Sequence, residues 1–216
     1  TSPMKRLLQG DVGSGKTIVA AAAVTATIKN NKQAALMAPT EVLAEQHLTS
    51  FKKYLEYFDV DIHLLTSSVK DREDIYEIID RGDPVLIIGT HALIQDKENF
   101  NNLGLAIIDE QQRFGVEQRK KLVDNDDFTP HQLVLTATPI PRTTALAIYG
   151  DLELSVIDEL PPGRKKIKSR VLSGGKRDNK EVYEAAYEHL KNDSQIFVVC
   201  PYIEESENSD INAAEN

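Results

Sequence analysis

The chain has 216 residues, 41% of them hydrophobic and 27% charged, the composition of an ordinary globular protein with room for one domain of about 150 residues and a remainder. No apolar run approaches the roughly 18 residues of a membrane span, and the start TSPMKRLLQG lacks a signal-peptide core, so a cytoplasmic protein with no membrane partner is expected. The net charge of −9 weighs against a phosphate backbone as partner, but it is unevenly spread: Glu204, Glu205, Glu207, Asp210 and Glu215 crowd the end of the chain, whereas Arg164, Lys165, Lys166, Lys168 and Arg170 form a basic run.

The first strand candidate, 6–9, runs into GDVGSGKT at 10–17 and then into an alanine-rich helix candidate at 16–29. This matches G-x-x-x-x-G-K-[ST] without a gap, in the order strand, loop, helix. Gly10, Asp11, Val12, Gly13, Ser14, Gly15, Lys16 and Thr17 are thereby expected to wrap phosphate oxygens. The glycines let successive N–H groups turn inward, and the helix start adds partial positive charge. Lys16 would reach the β and γ phosphates and the Thr17 hydroxyl would ligate Mg²⁺. The segment is read as a nucleoside triphosphate site.

A second strand candidate at 33–37 leads through APTEVLAEQH to a helix at 41–57; a third at 61–65 precedes a helix at 69–80; a fourth at 85–88 ends in GTHALIQ. A fifth, 105–108, ends in Asp109 and Glu110, ahead of a helix at 117–124. A sixth, 132–135, ends in TATPIPRT, ahead of a helix at 143–149. Apolar runs without strict alternation suit strands covered on both faces, and alternation with helices suits a doubly wound parallel sheet, whose ligands sit beyond the carboxyl ends of the strands.

Mg²⁺ needs hard oxygen ligands and keeps several waters, so a carboxylate at a neighbouring strand end is required, and Asp109 fits. Glu110 is placed to polarise the water that attacks the γ phosphate, because successive side chains at a strand end point differently; the alternative is a surface glutamate without a role. The other strand-end segments carry small hydroxylated residues or helix starts able to grip phosphates without reading bases. Each taken singly is also an ordinary helix cap, as Thr40 before 41–43 would be, and their joint occurrence points to a nucleic-acid motor. His91 alone reads as a structural or surface histidine, and no His or Cys pair has metal spacing. Cys200 reads as a small buried hydrophobe in a reducing compartment.

Beyond residue 158 the texture changes. LPPG at 160–163 and the basic run break the pattern, and a strand at 167–172, a helix at 179–191 and a strand at 195–199 follow, before a polar tail expected to be disordered. The expected organisation is a complete domain at 1–157, a linker with the basic run at 158–172, and at 173–216 the cut-short start of a second domain with an acidic tail.

In their order and spacing, GDVGSGKT, APTEVLAEQH, GTHALIQ, IIDEQQRFGVEQR, TATPIPRT and YGDLELSVIDELPPGR resemble superfamily 2 helicases, and among them the RecG family of bacterial ATP-dependent branched-DNA helicases, from about residue 4 to 163. VVCPYIEESE at 198–207 resembles the opening of that family's second motor domain. The transcription-repair coupling factor shares a GTH segment and TATPIPRT and stands as an alternative; a nucleotide-binding module without turnover is another. The resemblance implies an α/β, three-layer fold of the RecA-like P-loop NTPase type, with ATP and Mg²⁺ as cofactors. It implies catalysis by Lys16, Asp109 and Glu110, and DNA contacts from Pro39, Thr40, Glu41, Gly89, Thr90 and His91. Thr136 and Thr138 would couple nucleotide state to DNA grip.

The implied activity is the reversal of stalled forks and the movement of Holliday junctions in the nucleoid. Gln112 stands where the family often has histidine, and its amide can still couple the two functions. The family's wedge domain and the rest of its second motor domain are expected in a longer parent protein. The isolated fragment is expected to bind nucleotide weakly and to hydrolyse it poorly, since loss of an arginine supplied across the motor cleft costs several orders of magnitude in turnover. Gln112→Ala in the full-length protein should lower the ratio of DNA-stimulated to basal ATP hydrolysis; an unchanged ratio in a steady-state assay would count against the coupling role.

Overall fold

The computed structural model describes residues 2–69, 72–90, 93, 100–109, 129–138, 152–159, 167, 169–172, 176–192 and 194–199. The chain divides into two compact units, Thr1–Arg164 and Lys165–Asn216. The first holds strands β1 (Lys5–Gly10), β2 (Gln33–Met37), β3 (Asp61–Leu65), β4 (Val85–Gly89), β5 (Leu103–Asp109), β6 (His131–Thr136) and β7 (Glu153–Ile157). Its described helices are α1 (Lys16–Lys29), α2 (Glu41–Tyr54) and α3 (Glu73–Arg81). The strands form one sheet in the order β3-β4-β2-β5-β6-β1-β7, and every pairing is parallel.

The continuous apolar runs are explained by burial on both faces. Side chains alternate across a strand, so Leu36, Leu86, Ile88, Leu105 and Ile107 join one core with Ala20, Val24 and Ile28 of α1 and Ala44 and Phe51 of α2. Their neighbours Met37, Ile87, Ala106 and Ile108 join a second core with Ile75 and Ile79 of α3. Helices on both faces of a parallel sheet give three layers, as the runs of β-branched residues and leucine required.

Gln33 and Thr40 tie backbone groups of this frame together. Gln33 is fully buried; its amide donates to the Ile79 carbonyl at 2.9 Å and its oxygen accepts from Asn102 N at 3.0 Å. That ties the start of β2 to the end of α3 and to the entry of β5. Thr40 caps α2, accepting from Leu43 N at 3.3 Å, with Glu41 in the first turn and Lys52 and Lys53 in the last.

Several boundaries differ from the sequence pattern. Helix α2 stops at Tyr54 instead of running to 57, because Leu55 already serves as its C-cap and Phe58 N closes a turn on Leu55 O at 2.8 Å, directing the chain into β3. Helix α3 starts at Glu73 and not at 69, since Val69 belongs to a turn closed on Thr66 O and Arg72 binds the Val69 and Ser67 carbonyls through its guanidinium. Strand β7 has no counterpart among the strands expected from apolar runs: ELSVI lacks such a run, yet it pairs with β1, and Arg6 donates to Ser155 Oγ at 2.7 Å and pairs with Glu153. The helices expected at 117–124 and 143–149, Cys200 and the acidic tail lie outside the described residues.

The second unit contains helix α4 (Lys176–Lys191), with Arg170 paired to Glu181. Residues 167, 169–172 and 195–199 are not strands, a correction to the expected pair at 167–172 and 195–199. Apolar content alone does not make a strand; a ladder partner must take up its N–H and C=O groups. Among the described residues no helix is long and apolar enough to cross a membrane.

Ile107 is fully buried at the sheet centre, whereas Tyr57 is 90% exposed. Ile107→Ala should therefore cost about 2–5 kcal/mol and Tyr57→Ala less than about 0.5 kcal/mol, as read from urea unfolding.

Candidate active site

Parallel pairing places β4, β2, β5, β6 and β1 side by side with their carboxyl ends at one edge. Met37 lies opposite both Gly89 and Ile108, Asp109 opposite Leu135, and Thr136 opposite Gln9. The segments singled out in the sequence therefore emerge in a row. Gly89 and Thr90 come first, then Pro39, Thr40 and Glu41, then Asp109, then Thr136 and Thr138, and last the loop at 10–17. With strands about 4.8 Å apart, Asp109 and the loop are two spacings, or about 10 Å, from each other.

The loop has the shape of an anion cradle. Gly13 and Gly15 have φ of 78° and 99°, conformations that L side chains rarely adopt. Gly15 is the N-cap of α1 and no side chain caps the helix; Ile18 N turns back to the Gly15 carbonyl at 3.0 Å, which leaves the amides of Lys16 and Thr17 for another acceptor. A Cβ placed on Gly15 would meet nothing within 4 Å, which marks open space before the turn. Lys16 Nζ donates to the Gly10 carbonyl at 2.7 Å and the Asp11 carbonyl at 2.9 Å, keeping a cation inside the loop. Ser14 Oγ is buried without a hydrogen-bond partner, a state that costs on the order of 1–3 kcal/mol and that a phosphate oxygen would relieve. Open space, free donors and a fixed cation fit a polyphosphate.

At the end of β5, Asp109 Oδ2 accepts from His47 Nε2 at 2.7 Å, with side-chain exposures of 14% and 12%. His47 closes the APTEVLAEQH segment and has no expected role in the sequence pattern. The signal was nevertheless there, since His47 lies three residues after Ala44 and four before Phe51, on the buried stripe of α2. Among the described residues no group of three or more His, Cys, Asp or Glu could hold a metal. One carboxylate and one hydroxyl suit Mg²⁺, which takes its remaining ligands from substrate phosphates and water.

Thr136 is buried, and its hydroxyl lies 3.0 Å from that of Thr138 while accepting from Thr138 N at 3.3 Å, so the two form one turn between β5 and β1. Ala38 N donates to Gly89 O at 2.8 Å, holding the segments after β2 and β4 together. Gly89 is also required for packing, because a Cβ there would overlap the Leu65 carbonyl oxygen. Glu110, Gln112 and His91 lie outside the described residues. A cavity of about 400 Å³ lined by Thr27, Asn30, Lys32, Gly104 and His131 opens at the opposite, amino-terminal edge of the sheet and includes none of these residues.

A glycine-rich G-x-x-x-x-G-K-T loop on a parallel αβα sheet, at the same edge as a strand-end aspartate two strands away, defines a RecA-like P-loop NTPase domain. The family model for the DEAD/DEAH box helicase matches residues 2–147, and the chain belongs to that family. Within it the chain is similar to the ATP-dependent DNA helicase RecG of Aquifex aeolicus (strain VF5), 50% identical over 98% of this chain and 27% of that protein. It is similarly related to RecG of Bacillus subtilis (strain 168), at 49% over 98% and 31%. The chain thus spans about a quarter to a third of the curated relatives it matches. Among solved structures it is similar to RecG bound to a three-way DNA junction, with a TM-score of 0.74 and 41% identity over 88% of this chain and 25% of that one. The Pyrococcus furiosus Hef helicase domain, at 21% identity and a TM-score of 0.57 over 87% of this chain and 43% of that one, shares the fold.

Gly15→Ala, at φ of 99°, should cost about 1–2 kcal/mol in the loop and weaken binding of a fluorescent ADP analogue about tenfold, as read by anisotropy.

Proposed function

We propose that this chain is the nucleotide-hydrolysing part of an ATP-dependent DNA helicase or translocase that remodels branched DNA, such as stalled forks and Holliday junctions, in the bacterial cytoplasm. The observation that carries this reading is the row of strand ends, in which the phosphate loop, Asp109 and the segments after β2 and β4 share one edge. The similarity to RecG proteins, one of them solved on a three-way DNA junction, supports the choice of substrate. Residues 1–157 serve as the first motor domain, 158–172 as a linker with the basic run, and 173–216 as the start of the second.

The loop amides and Lys16 bind and orient the β and γ phosphates, the lysine exchanging its bonds to the Gly10 and Asp11 carbonyls for phosphate oxygens. Thr17 and Asp109 would hold Mg²⁺, which would supply positive charge against that developing on the phosphates. Glu110 accepts the proton of the attacking water. Pro39, Thr40, Glu41, Gly89, Thr90 and His91 lie along the DNA backbone, where amides and hydroxyls grip without reading sequence. Thr136 and Thr138, between β5 and the phosphate loop, pass the state of the nucleotide on, together with Gln112.

The reading is tested by ATP turnover of the full-length protein with forked, linear duplex and single-stranded DNA. Forked DNA should stimulate most, and Lys16→Ala should lower turnover by about 10²-fold or more. Absence of turnover, or equal stimulation by all three DNAs, would overturn it.

A further inference from the structure

We propose that His47 is a positioning residue whose ring N–H fixes the Asp109 carboxylate in the orientation a divalent cation requires. The inference deepens the metal role proposed above for Asp109 and rests on it. His47 Nε2 donates to Asp109 Oδ2 at 2.7 Å, and both side chains are largely shielded from water, at 12% and 14% exposure. Such a bond between neighbouring elements holds the carboxylate plane by one oxygen and leaves the other for the cation.

The imidazole is itself held. The Phe51 ring meets it in an edge arrangement, with centroids 6.3 Å apart and planes at 62°, and Phe51 is fully buried one helical turn further on. The other end of α2 is fixed by the Thr40 cap. The hydrogen bond also joins the segment that follows one strand to the end of the strand paired with it. His47 belongs to the segment that follows β2, on the side of the proposed DNA contacts, whereas Asp109 ends β5, on the side of the phosphate loop. Without the ring N–H the carboxylate would turn freely about its side-chain torsions, and ordering it would have to come from the cation's own binding energy.

The experiment uses the full-length protein, a fluorescent ADP analogue and no turnover. Analogue binding is followed as Mg²⁺ is titrated, for the wild type, His47→Ala and His47→Gln, with melting temperatures recorded alongside. Loss of an outer partner of a metal ligand typically weakens metal affinity 10–100-fold, so His47→Ala should raise the half-maximal Mg²⁺ concentration at least about tenfold. His47→Gln, whose amide can place an N–H where Nε2 stands, should return it towards the wild-type value. An unchanged midpoint in His47→Ala would overturn the proposal, as would a shift that glutamine does not restore, which marks a packing role. Wild-type binding indifferent to Mg²⁺ would overturn the metal role of Asp109 and this inference with it.

Discussion

Parallel pairing of β4, β2, β5, β6 and β1 is the constraint on which the rest of the site depends, since parallel strands all end at one edge and carry their following residues there together. The register fixes the depth at which each arrives. Asp109 sits one row below Thr136 across β6, and Gly10 continues β1 one row above the Gln9–Thr136 pair. A one-residue slip of β5 would turn Asp109 to the other face, so the two buried cores that pin the register also secure the site.

At that edge, stability is given up locally. Gly13 and Gly15 hold positive φ, Ser14 Oγ is buried without a partner, and α1 begins with no side-chain cap. The missing partner and the missing cap would be defects in a helix start that served the fold alone, whereas glycine tolerates positive φ, and together these features suit an anion. The remainder of the frame offsets them through well-satisfied features such as the bonds of Gln33 and the Thr40 cap of α2.

The elements that could be read along the chain were those whose signal is local. The α1 boundaries, the strands up to β6 and the phosphate loop follow from apolar runs, glycine spacing and helix periodicity, all of which act within a few residues. Strand β7 escaped because its residues largely alternate polar and apolar and, among the described residues, it pairs with β1 alone, well over a hundred residues earlier in the chain. Segments 167–172 and 195–199 erred in the opposite direction, being apolar enough for strands but without pairing among the described residues. The ends of α2 and α3 moved because turns closed on Leu55 and Thr66 compete with helix continuation.

The same division holds for the chemistry. The sequence by itself determined that GDVGSGKT lies between a strand and a helix and that Asp109 ends a strand, because apolar runs, glycine spacing and helix periodicity are local signals. Only the tertiary structure decided that His47 bonds Asp109, that Thr136 and Thr138 form one turn between β5 and β1, and that Gly89 is held by packing against Leu65. Those relations depend on which strands become neighbours and in what register, and that is settled by burial summed over the whole sheet.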